Sequence, residues 1–403
     1  MTYTKDEVIQ FVKEEDIKFI RLAFCDAFGK MKNISIMPGE LVRAFETGIA
    51  IDASAVTGFG GEVWSDLFLH PDPATLSLLP WRPEHGGVVK MFSSLTYPDG
   101  KAFEADSRTV LKNTVKKAAE DSLLFSFGSE LEFYLFLTDD EGKKTRTPFD
   151  TAGYMDIAPM DKGENVRREI CLTLERMGIF PEASHHEEGP GQNEIDFKFS
   201  DPLSSADNAE TFIWVVKTVA ARNGLFADFS PKPMADEPGN SFHINMSVTS
   251  LSGEKDLYPY MIGGIMEHIN EMTLFLNPTD ESYERLGKCK APGFISWSPE
   301  NRSQLIRIPA AEGSYKRIEL RSPDPGANPY IAFSLLISAA AEGIKKRILP
   351  PEAANINLFS APDEVTGKFA RLPETREQAA TLAKDSAFIK SVLPESIIKA
   401  YLK

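Results

Sequence analysis

The stretch His185–Phe199, HHEEGPGQNEIDFKF, gathers metal-ligating side chains around a stiff turn. Two histidines and two glutamates precede Gly189-Pro190-Gly191. This segment predicts a turn, because glycine and proline together favour a tight reversal of the chain. The run that follows, NEIDFKF, has the pattern of a β-strand and carries a further acid, Glu194. The stretch therefore predicts a strand of a larger sheet with several ligand-type side chains close to its start.

The rest of the chain predicts an α+β fold of two parts. Thr4 and Glu7 form a capping-box pattern before a short helix, and residues 17–37 alternate around a glycine turn, which predicts a hairpin. A segment rich in turn residues, YPDGKAFEADSRTVLKN, lies near residue 100. We place a boundary there, between a domain of residues 1–102 and a domain of residues 103–403, in which a substantial antiparallel sheet mixes with helices.

Composition limits the kind of protein. The chain has 403 residues, is 42% hydrophobic and has a net charge of −15, which gives no basic surface for nucleic acid. We find no signal-peptide pattern and no uninterrupted apolar run of membrane-spanning length, so we expect no membrane insertion. Cys25, Cys171 and Cys289 are odd in number and far apart. A reducing cytoplasm fits these features best.

Carboxylates on a predicted strand suggest a cation site. In GSELEFYLF, Glu130 and Glu132 are two residues apart, so their side chains project from one face of a strand and repel each other. Taken singly, this pair is as well explained by a solvated strand face. The Glu187-Glu188 pair and His243 are better explained, each by itself, by a charged loop and a core histidine. Together, carboxylates and imidazoles on one sheet suit Mg²⁺ or Mn²⁺.

Arginines form a second group of opposite charge. NRSQLIRIP carries Arg302 and Arg307, and KRIELRS carries Arg317 and Arg321 on either side of Glu319. Guanidinium groups hold carboxylate or phosphate oxygens through paired hydrogen bonds. The alternative is a set of structural ion pairs. Acids for cations and arginines for phosphates together indicate metal-assisted phosphoryl transfer.

Six segments, in order, resemble the signature segments of the glutamine synthetases. They are GSELEF, HHEEGPGQNEID, KPMADEPGNSFHINMS, NPTDESYERL, NRSQLIRIP and RIELRSPDPGANPY, and IDASAVTGF with SDLFLHPD is similar to the family's N-terminal segment. The resemblance runs from about residue 15 to about residue 350. It implies a small N-terminal β-grasp domain and a large catalytic domain whose mainly antiparallel sheet is packed by helices.

The resemblance also implies the reaction: ATP phosphorylates the γ-carboxylate of glutamate, and ammonia displaces the phosphate to give glutamine. It implies two metal ions, Mg²⁺ or Mn²⁺. The ligands of one metal would be Glu132, Glu187 and Glu194, brought together by the turn. The ligands of the other would be Glu130, His243 and Glu319.

The remaining implied roles concern glutamate, ATP and the neighbouring subunit. Arg285, Arg302, Arg321 and the backbone of Gly239 resemble glutamate-binding positions, and Arg302 and Arg321 also resemble catalytic ones. The positions similar to nucleotide contacts are His185, Ser247, Arg307 and Arg317. The family's small domain carries a catalytic Asp into the adjacent subunit's site, here Asp52 with Asp66 nearby. A homo-oligomer follows, built as a hexameric ring or a double ring.

Three departures from the family pattern leave the amine open. Pro238 replaces an amide near glutamate's amino group, and Asn245 replaces a second histidine. The flap segment GKCKAP is one residue shorter than usual and has Lys290 where the family has a glutamate that helps to take a proton from ammonium. We therefore keep two alternatives to glutamine synthesis: ligation of a larger amine to glutamate, and a non-catalytic assembly protein.

Overall fold

The computed structural model describes residues 3–60, 65–82, 85–311 and 313–403. In this part of the chain, the small sheet has six strands in the order β2-β1-β6-β4-β3, with β5 paired to β6. β1 and β6 run parallel, and β1 and β2 form the predicted hairpin. The strands are β1 (Ile17–Cys25), β2 (Met31–Ile36), β3 (Ile49–Asp52), β4 (Asp66–Pro71), β5 (Ser77–Leu78) and β6 (Gly87–Thr96).

The large sheet has nine strands in the described residues, in the order β13-β14-β15-β12-β7-β10-β9, with β8 and β11 paired to β7. β13 and β14 are parallel, and the other pairs of this sheet are antiparallel. Its strands are β7 (Leu123–Thr138), β8 (Lys144–Pro148), β9 (Pro181–His186), β10 (Gln192–Ser200), β11 (Leu225–Asp228), β12 (Phe242–Ser250), β13 (Trp297–Pro299), β14 (Ile306–Ile308) and β15 (Ile318–Leu320).

Twelve α-helices lie in the described parts of the chain. They are α1 (Lys5–Glu14), α2 (Leu41–Glu46), α3 (Ser107–Glu120), α4 (Glu164–Arg176), α5 (Pro202–Arg222), α6 (Tyr258–Leu276), α7 (Asp280–Arg285), α8 (Pro329–Lys346), α9 (Asp363–Thr366), α10 (Arg376–Asp385), α11 (Ala387–Val392) and α12 (Glu395–Tyr401). Among them, none is long and apolar enough to cross a membrane.

Local sequence explains where these helices begin. The predicted capping box is present at α1, where the Thr4 side chain accepts from the Glu7 backbone and the Glu7 carboxylate accepts from the Thr4 backbone. α5 starts several residues before the AETFIWVV run that predicts it, because Asp201 caps two backbone N–H groups and Pro202 occupies the first turn. The apolar faces of α5, α6 and α8 form one core with the large sheet. The predicted α+β architecture is confirmed.

Candidate active site

The large sheet gathers acids from neighbouring strands on one face. Glu130 and Glu132 point away from the core on β7, while Leu131 between them is buried, as the alternation predicts. On β10, Glu194 is the cross-strand partner of Glu132 and Asp196 is the partner of Glu130. The sheet register, not sequence proximity, therefore brings the two acidic segments together.

One potential metal-binding group consists of Glu130, His243 and Glu319, from β7, β12 and β15. The Nδ1 atom of His243 lies 3.4 Å from Oε2 of Glu130 and 3.7 Å from Oε1 of Glu319. Burial, together with the cationic Arg321, lowers the pKa of His243 to about 3. The imidazole is therefore neutral and can donate a lone pair to a cation. This group matches the predicted second metal set.

Two arginines hold Glu319, which is fully buried. Nε of Arg321 donates to Oε1 of Glu319 at 3.1 Å, and Nε of Arg307 donates to Oε2. Charged hydrogen bonds to both oxygens fix the position of the carboxylate. These two arginines thus position an acid of the cation site as well as line the cavity above it.

The predicted first metal set is divided between two overlapping groups. Glu132, Glu194 and His243 have ligand atoms within 4.8 Å of one another, and so do His185, Glu187 and Glu194. Glu187 accepts a hydrogen bond from Nε2 of His185 at 2.8 Å. Glu194 is common to both groups.

Crowding and burial disfavour ionisation of these acids. Burial and the nearby Glu187 raise the pKa of Glu132 to about 7. Burial and the neighbouring Asp196 raise the pKa of Glu194 well above its usual range. Oδ1 of Asp196 is itself buried with no hydrogen-bond partner. Closely packed carboxylates with two imidazoles are the donor set of a divalent cation, and bound cations would remove the repulsion. The residues therefore fit the two divalent metals that the sequence predicts.

A cavity of about 520 Å³ lies over this acidic face and also contains the arginines. It brings together most of the predicted site residues: Glu130, Glu132, His185, Glu187, Glu194, Gly239, His243, Arg285, Arg302, Arg307, Arg317 and Arg321. Acidic and cationic groups thus line one cavity. Such a cavity can hold metal ions and the anionic groups that they bridge.

Arg285 and Gly239 form a fixed corner of the cavity. Arg285 is 1% exposed and donates to Ser322 O and to Oγ of Ser241, both at 2.7 Å. A Cβ on Gly239 would lie 2.4 Å from Pro231 O and 2.8 Å from Cγ of Arg285. Only glycine fits there. The predicted substrate position at Gly239 is therefore shaped by the arginine packed against it.

The predicted nucleotide-binding residues occupy two places. Ser247 and Arg317 line a smaller groove beside the acidic face, together with Tyr315 and Phe199. Arg307 and His185 line the acidic cavity instead, and His185 contacts Glu187 and Tyr154. Glu130, Asp196 and Arg317 line both spaces, so the groove and the cavity are adjacent.

Asp52 and Asp66 lie away from this cavity in the same chain. They are cross-strand partners on β3 and β4 of the small sheet, and both are surface residues. Asp52 accepts hydrogen bonds from the backbone and side chain of Ser54. Their carboxylates are thus presented outward.

The flap residue Lys290 forms an ion pair with Glu188 at the mouth of the cavity. Its side chain is 64% exposed, and that of Glu188 is 35% exposed. Cys289 and Lys290 both have left-handed backbone angles, with φ of 43° and 68°, which is unusual for residues with a Cβ. The short flap thus reaches the loop that carries Glu187.

Sequence reasoning did not select Asp196 and Tyr154 as site residues, and it noted Asn245 only as a departure. Asp196 could have been found, because it is two residues from Glu194 in a strand and so shares its face. Asn245 donates to Oε1 of Glu130 and accepts from Nε of Arg317, both at 2.7 Å. Tyr154 lines the cavity from a loop. No local pattern marks the contacts of Asn245 and Tyr154.

Comparison with known proteins agrees with this geometry. Residues 16–98 match the profile described as "Glutamine synthetase, beta-Grasp domain", and residues 104–403 match "Glutamine synthetase, catalytic domain". Glutamine synthetase of Methanosarcina mazei is 43% identical over 99% of this chain and 92% of its own length. That of Thermus thermophilus is 39% identical over 100% and 94%.

Two solved structures are similar to this chain over nearly its whole length, at lower sequence identity. A structure described as "GmaS/ADP complex-Conformation 1" superimposes with a TM-score of 0.89 at 26% identity, covering 100% of this chain and 94% of the other. "Apo GmaS without ligand" gives a TM-score of 0.87 at 27% identity, covering 98% and 93%. With both domain profiles and full-length relatives matched, the chain belongs to the glutamine synthetase family.

Proposed function

We propose that the protein is a glutamate–ammonia ligase that uses ATP to make glutamine through γ-glutamyl phosphate. One observation carries this proposal: an acidic face and a set of arginines share a single cavity of about 520 Å³, adjacent to a groove on the side of Ser247. The curated relatives with this architecture are named glutamine synthetases. Two Mg²⁺ or Mn²⁺ ions would be held by Glu130, His243 and Glu319, and by Glu132, Glu187 and Glu194.

Phosphorylation of glutamate requires charge neutralisation and alignment. When bound, the metal ions neutralise charge on the phosphate oxygens that move. Arg302 and Arg321 would contribute further positive charge beside the transferring phosphoryl group, and Arg307 and Arg317 would hold the nucleotide phosphates with Ser247 and His185. Arg285 and the backbone of Gly239 would orient glutamate, so that its γ-carboxylate meets the phosphate in line.

Attack on the γ-glutamyl phosphate requires a free amine. Ammonium must lose a proton before its nitrogen can attack the acyl carbon, with phosphate as the leaving group. Asp52 and Asp66 from a neighbouring subunit would bind the ammonium ion and accept that proton. This role requires a homo-oligomer, with active sites between subunits of a hexameric ring or a double ring. No nucleic acid or membrane takes part, and a cytoplasmic location is proposed with it.

A coupled assay tests the reaction. ADP release should require glutamate, ammonium and Mg²⁺ together, and mass spectrometry should identify glutamine. Glu130→Gln should abolish turnover, whereas Glu141→Gln, the same change on an exposed hairpin, should leave it unchanged. No metal-dependent ADP release with any amine would refute catalysis and leave the assembly-protein alternative.

Lys290 favours one second candidate, ligation of a larger amine to glutamate. A charged lysine ammonium repels an ammonium ion and cannot accept its proton. The same assay with a panel of alkylamines and diamines separates the two activities. Ammonium as the best substrate supports glutamine synthesis, and an organic amine as the best substrate supports the second candidate.

A further inference from the structure

A second cavity, of about 490 Å³, lies between the small sheet and helix α5. Its walls come from β1, β2 and β6 on one side and from α5 and β11 on the other. We call it the interdomain cavity and define it by Arg21, Lys90, Glu210, Trp214 and Phe229. None of the described residues that line it also lines the active-site cavity. The interdomain cavity therefore has no role in the metal binding and substrate binding proposed above.

Buried charged side chains line this cavity without a hydrogen-bonded partner of opposite charge among the described residues. Nζ of Lys90 lies 4.0 Å from the centroid of the Phe92 ring, and Lys217, which also lines the cavity, is the cation that acts on Glu210. Lys90 is 4% exposed and Glu210 is 6% exposed, and neither makes a hydrogen bond or ion pair through its side chain with the part of the chain that the structure describes. Nε of Arg21 is also buried and has no hydrogen-bond partner. Each unpartnered buried charge costs folding free energy. Charged side chains buried in this way indicate a binding site for a ligand.

The two cations form a pair on the sheet. Arg21 on β1 and Lys90 on β6 are register partners in the parallel ladder, so their side chains leave the same face side by side. Like charges at neighbouring positions of a sheet repel each other. An anionic group between them would convert this repulsion into two charged hydrogen bonds. Glu210 lies across the cavity on α5, where the cationic Lys217 acts on it without a hydrogen bond, so a cationic group of a ligand would be its direct partner.

The remaining wall is aromatic and fixed. Trp214 packs edge-on against Trp81 with ring centroids 5.0 Å apart, and the Arg21 guanidinium lies 5.7 Å from the Trp214 ring. Phe28, Phe226 and Phe229 add to this surface. A rigid apolar wall between opposite charges suits a molecule with an apolar body and two charged groups.

We propose that the interdomain cavity binds a free α-amino acid with a large apolar or aromatic side chain. Its carboxylate lies between Arg21 and Lys90, its ammonium group meets Glu210, and its side chain packs on Trp214 and Phe229. A simple carboxylate leaves Glu210 unpaired, and a simple amine leaves both cations unpaired. The zwitterion gives Arg21, Lys90 and Glu210 each a partner of opposite charge; Lys30, Lys217 and Asp228 also line the cavity.

The protonation behaviour of the two buried groups agrees with this arrangement. Burial lowers the pKa of Lys90 to about 8, against a weaker opposing effect of Asp207. Burial raises the pKa of Glu210 to about 8, against the cationic Lys217. Each charged form therefore gains by acquiring a partner of opposite charge.

Three matched probes test the proposal on the full-length protein by isothermal titration and thermal shift. L-Phenylalanine carries both charges, 3-phenylpropanoate lacks the ammonium group, and 2-phenylethylamine lacks the carboxylate. We expect L-phenylalanine to bind and raise Tm, and each deletion probe to bind at least about tenfold more weakly, as expected for a lost charged hydrogen bond. If L-phenylalanine shows no binding at millimolar concentration, the proposal is wrong.

Variants separate this cavity from the glutamate site. Lys90→Met should raise Tm without ligand, weaken L-phenylalanine about tenfold and leave 2-phenylethylamine unaffected. Glu210→Gln should instead weaken 2-phenylethylamine. Ala23→Leu, which fills the cavity from β1, should remove binding while keeping ligase turnover, and Ala327→Leu fills it from the opposite side if the first variant does not fold. L-phenylalanine binding that persists in a folded, filled variant would place the molecule elsewhere and overturn the proposal.

Discussion

Two buried carboxylates, one from each of the two proposed metal-binding groups, should respond in opposite directions to the same substitution. Glu132→Gln should stabilise the metal-free protein, and Glu319→Gln should destabilise it. Both side chains are buried and both change from acid to amide. The difference arises because Glu319 is paired with two arginines, whereas Glu132 lies among other acids.

The gain at Glu132 follows from its pKa of about 7, against 4.5 for an unperturbed glutamate. Ionising this group above pH 7 therefore costs up to roughly 3 kcal/mol of folding free energy. Both of its protein hydrogen bonds, from Ser241 N at 2.8 Å and Nε2 of Gln192 at 3.1 Å, go to Oε2. A glutamine can keep these bonds with its carbonyl oxygen and donate toward Glu187 with its amide nitrogen. We expect most of the ionisation cost to be removed.

The loss at Glu319 follows from its two guanidinium partners. The carboxylate accepts from Arg321 through Oε1 and from Arg307 through Oε2. A glutamine offers only one acceptor oxygen and turns an NH₂ group toward the other guanidinium. Removing one member of a buried charge network typically costs about 3–5 kcal/mol.

Urea unfolding in EDTA at pH 8, at one fixed protein concentration, measures both effects. The urea midpoint should rise for Glu132→Gln and fall for Glu319→Gln relative to the unmodified protein. Adding Mn²⁺ should stabilise the unmodified protein more than either variant, because each variant lacks one ligand. If both variants shift in the same direction in EDTA, the assignment of one strained and one paired carboxylate is wrong.

Three further predictions concern the flap, the interdomain cavity and the subunit interface. Lys290→Glu should raise turnover with ammonium about tenfold in a coupled assay, because a carboxylate can accept a proton. The neutral control Lys290→Met should raise it less. Undetectable ammonium turnover by Lys290→Glu, with rapid alkylamine turnover by the unmodified protein, would contradict this. The pKa of Lys90 is about 8 in the folded protein, against 10.5 in the unfolded chain, and Asp207, Arg108 and Cys25 lie around it. Between these two pH values the unfolded chain keeps the proton, so the native state gains up to roughly 3 kcal/mol of stability as pH rises from about 8 to 10.5. Lys90→Met should lack this gain in urea unfolding, and parallel pH profiles of the variant and the unmodified protein would exclude it. Co-expression of inactive Asp52→Ala and Glu319→Gln chains should restore about a quarter of wild-type activity if each site uses two subunits, and no recovery would mean that sites are not shared.

The fold and the acidic face could be predicted because their signals are local and periodic. Alternation along β7 places Glu130 and Glu132 on one face and Leu131 in the core. The capping box at Thr4 and the glycine turn between β1 and β2 work over a few residues. Family resemblance then supplied the grouping of the metal ligands, which alternation alone cannot identify.

Contacts between distant segments could not be predicted, because they depend on sheet register and loop position. Asn245 lies 115 residues from Glu130 and 72 residues from Arg317, yet its amide contacts both side chains. Lys90 and Glu210 have ordinary sequence surroundings, and only the packing of the small sheet against α5 shows that both are buried beside a cavity. Their unpartnered charges are visible only in three dimensions.

The structure also changes how Lys290 bears on the choice of amine. From the sequence alone, Lys290 is a positive charge at the place where ammonium enters. In the structure, the Glu188 carboxylate contacts it, so the pair is close to neutral and repels an ammonium ion far less than a free lysine does. Because both partners are substantially exposed, the pair contributes little stability and can separate as a substrate enters. Once separated, Glu188 is an additional carboxylate beside Glu187 that can attract a cationic amine. Pairing with Glu188 therefore weakens the objection to ammonia that the charge of Lys290 raises.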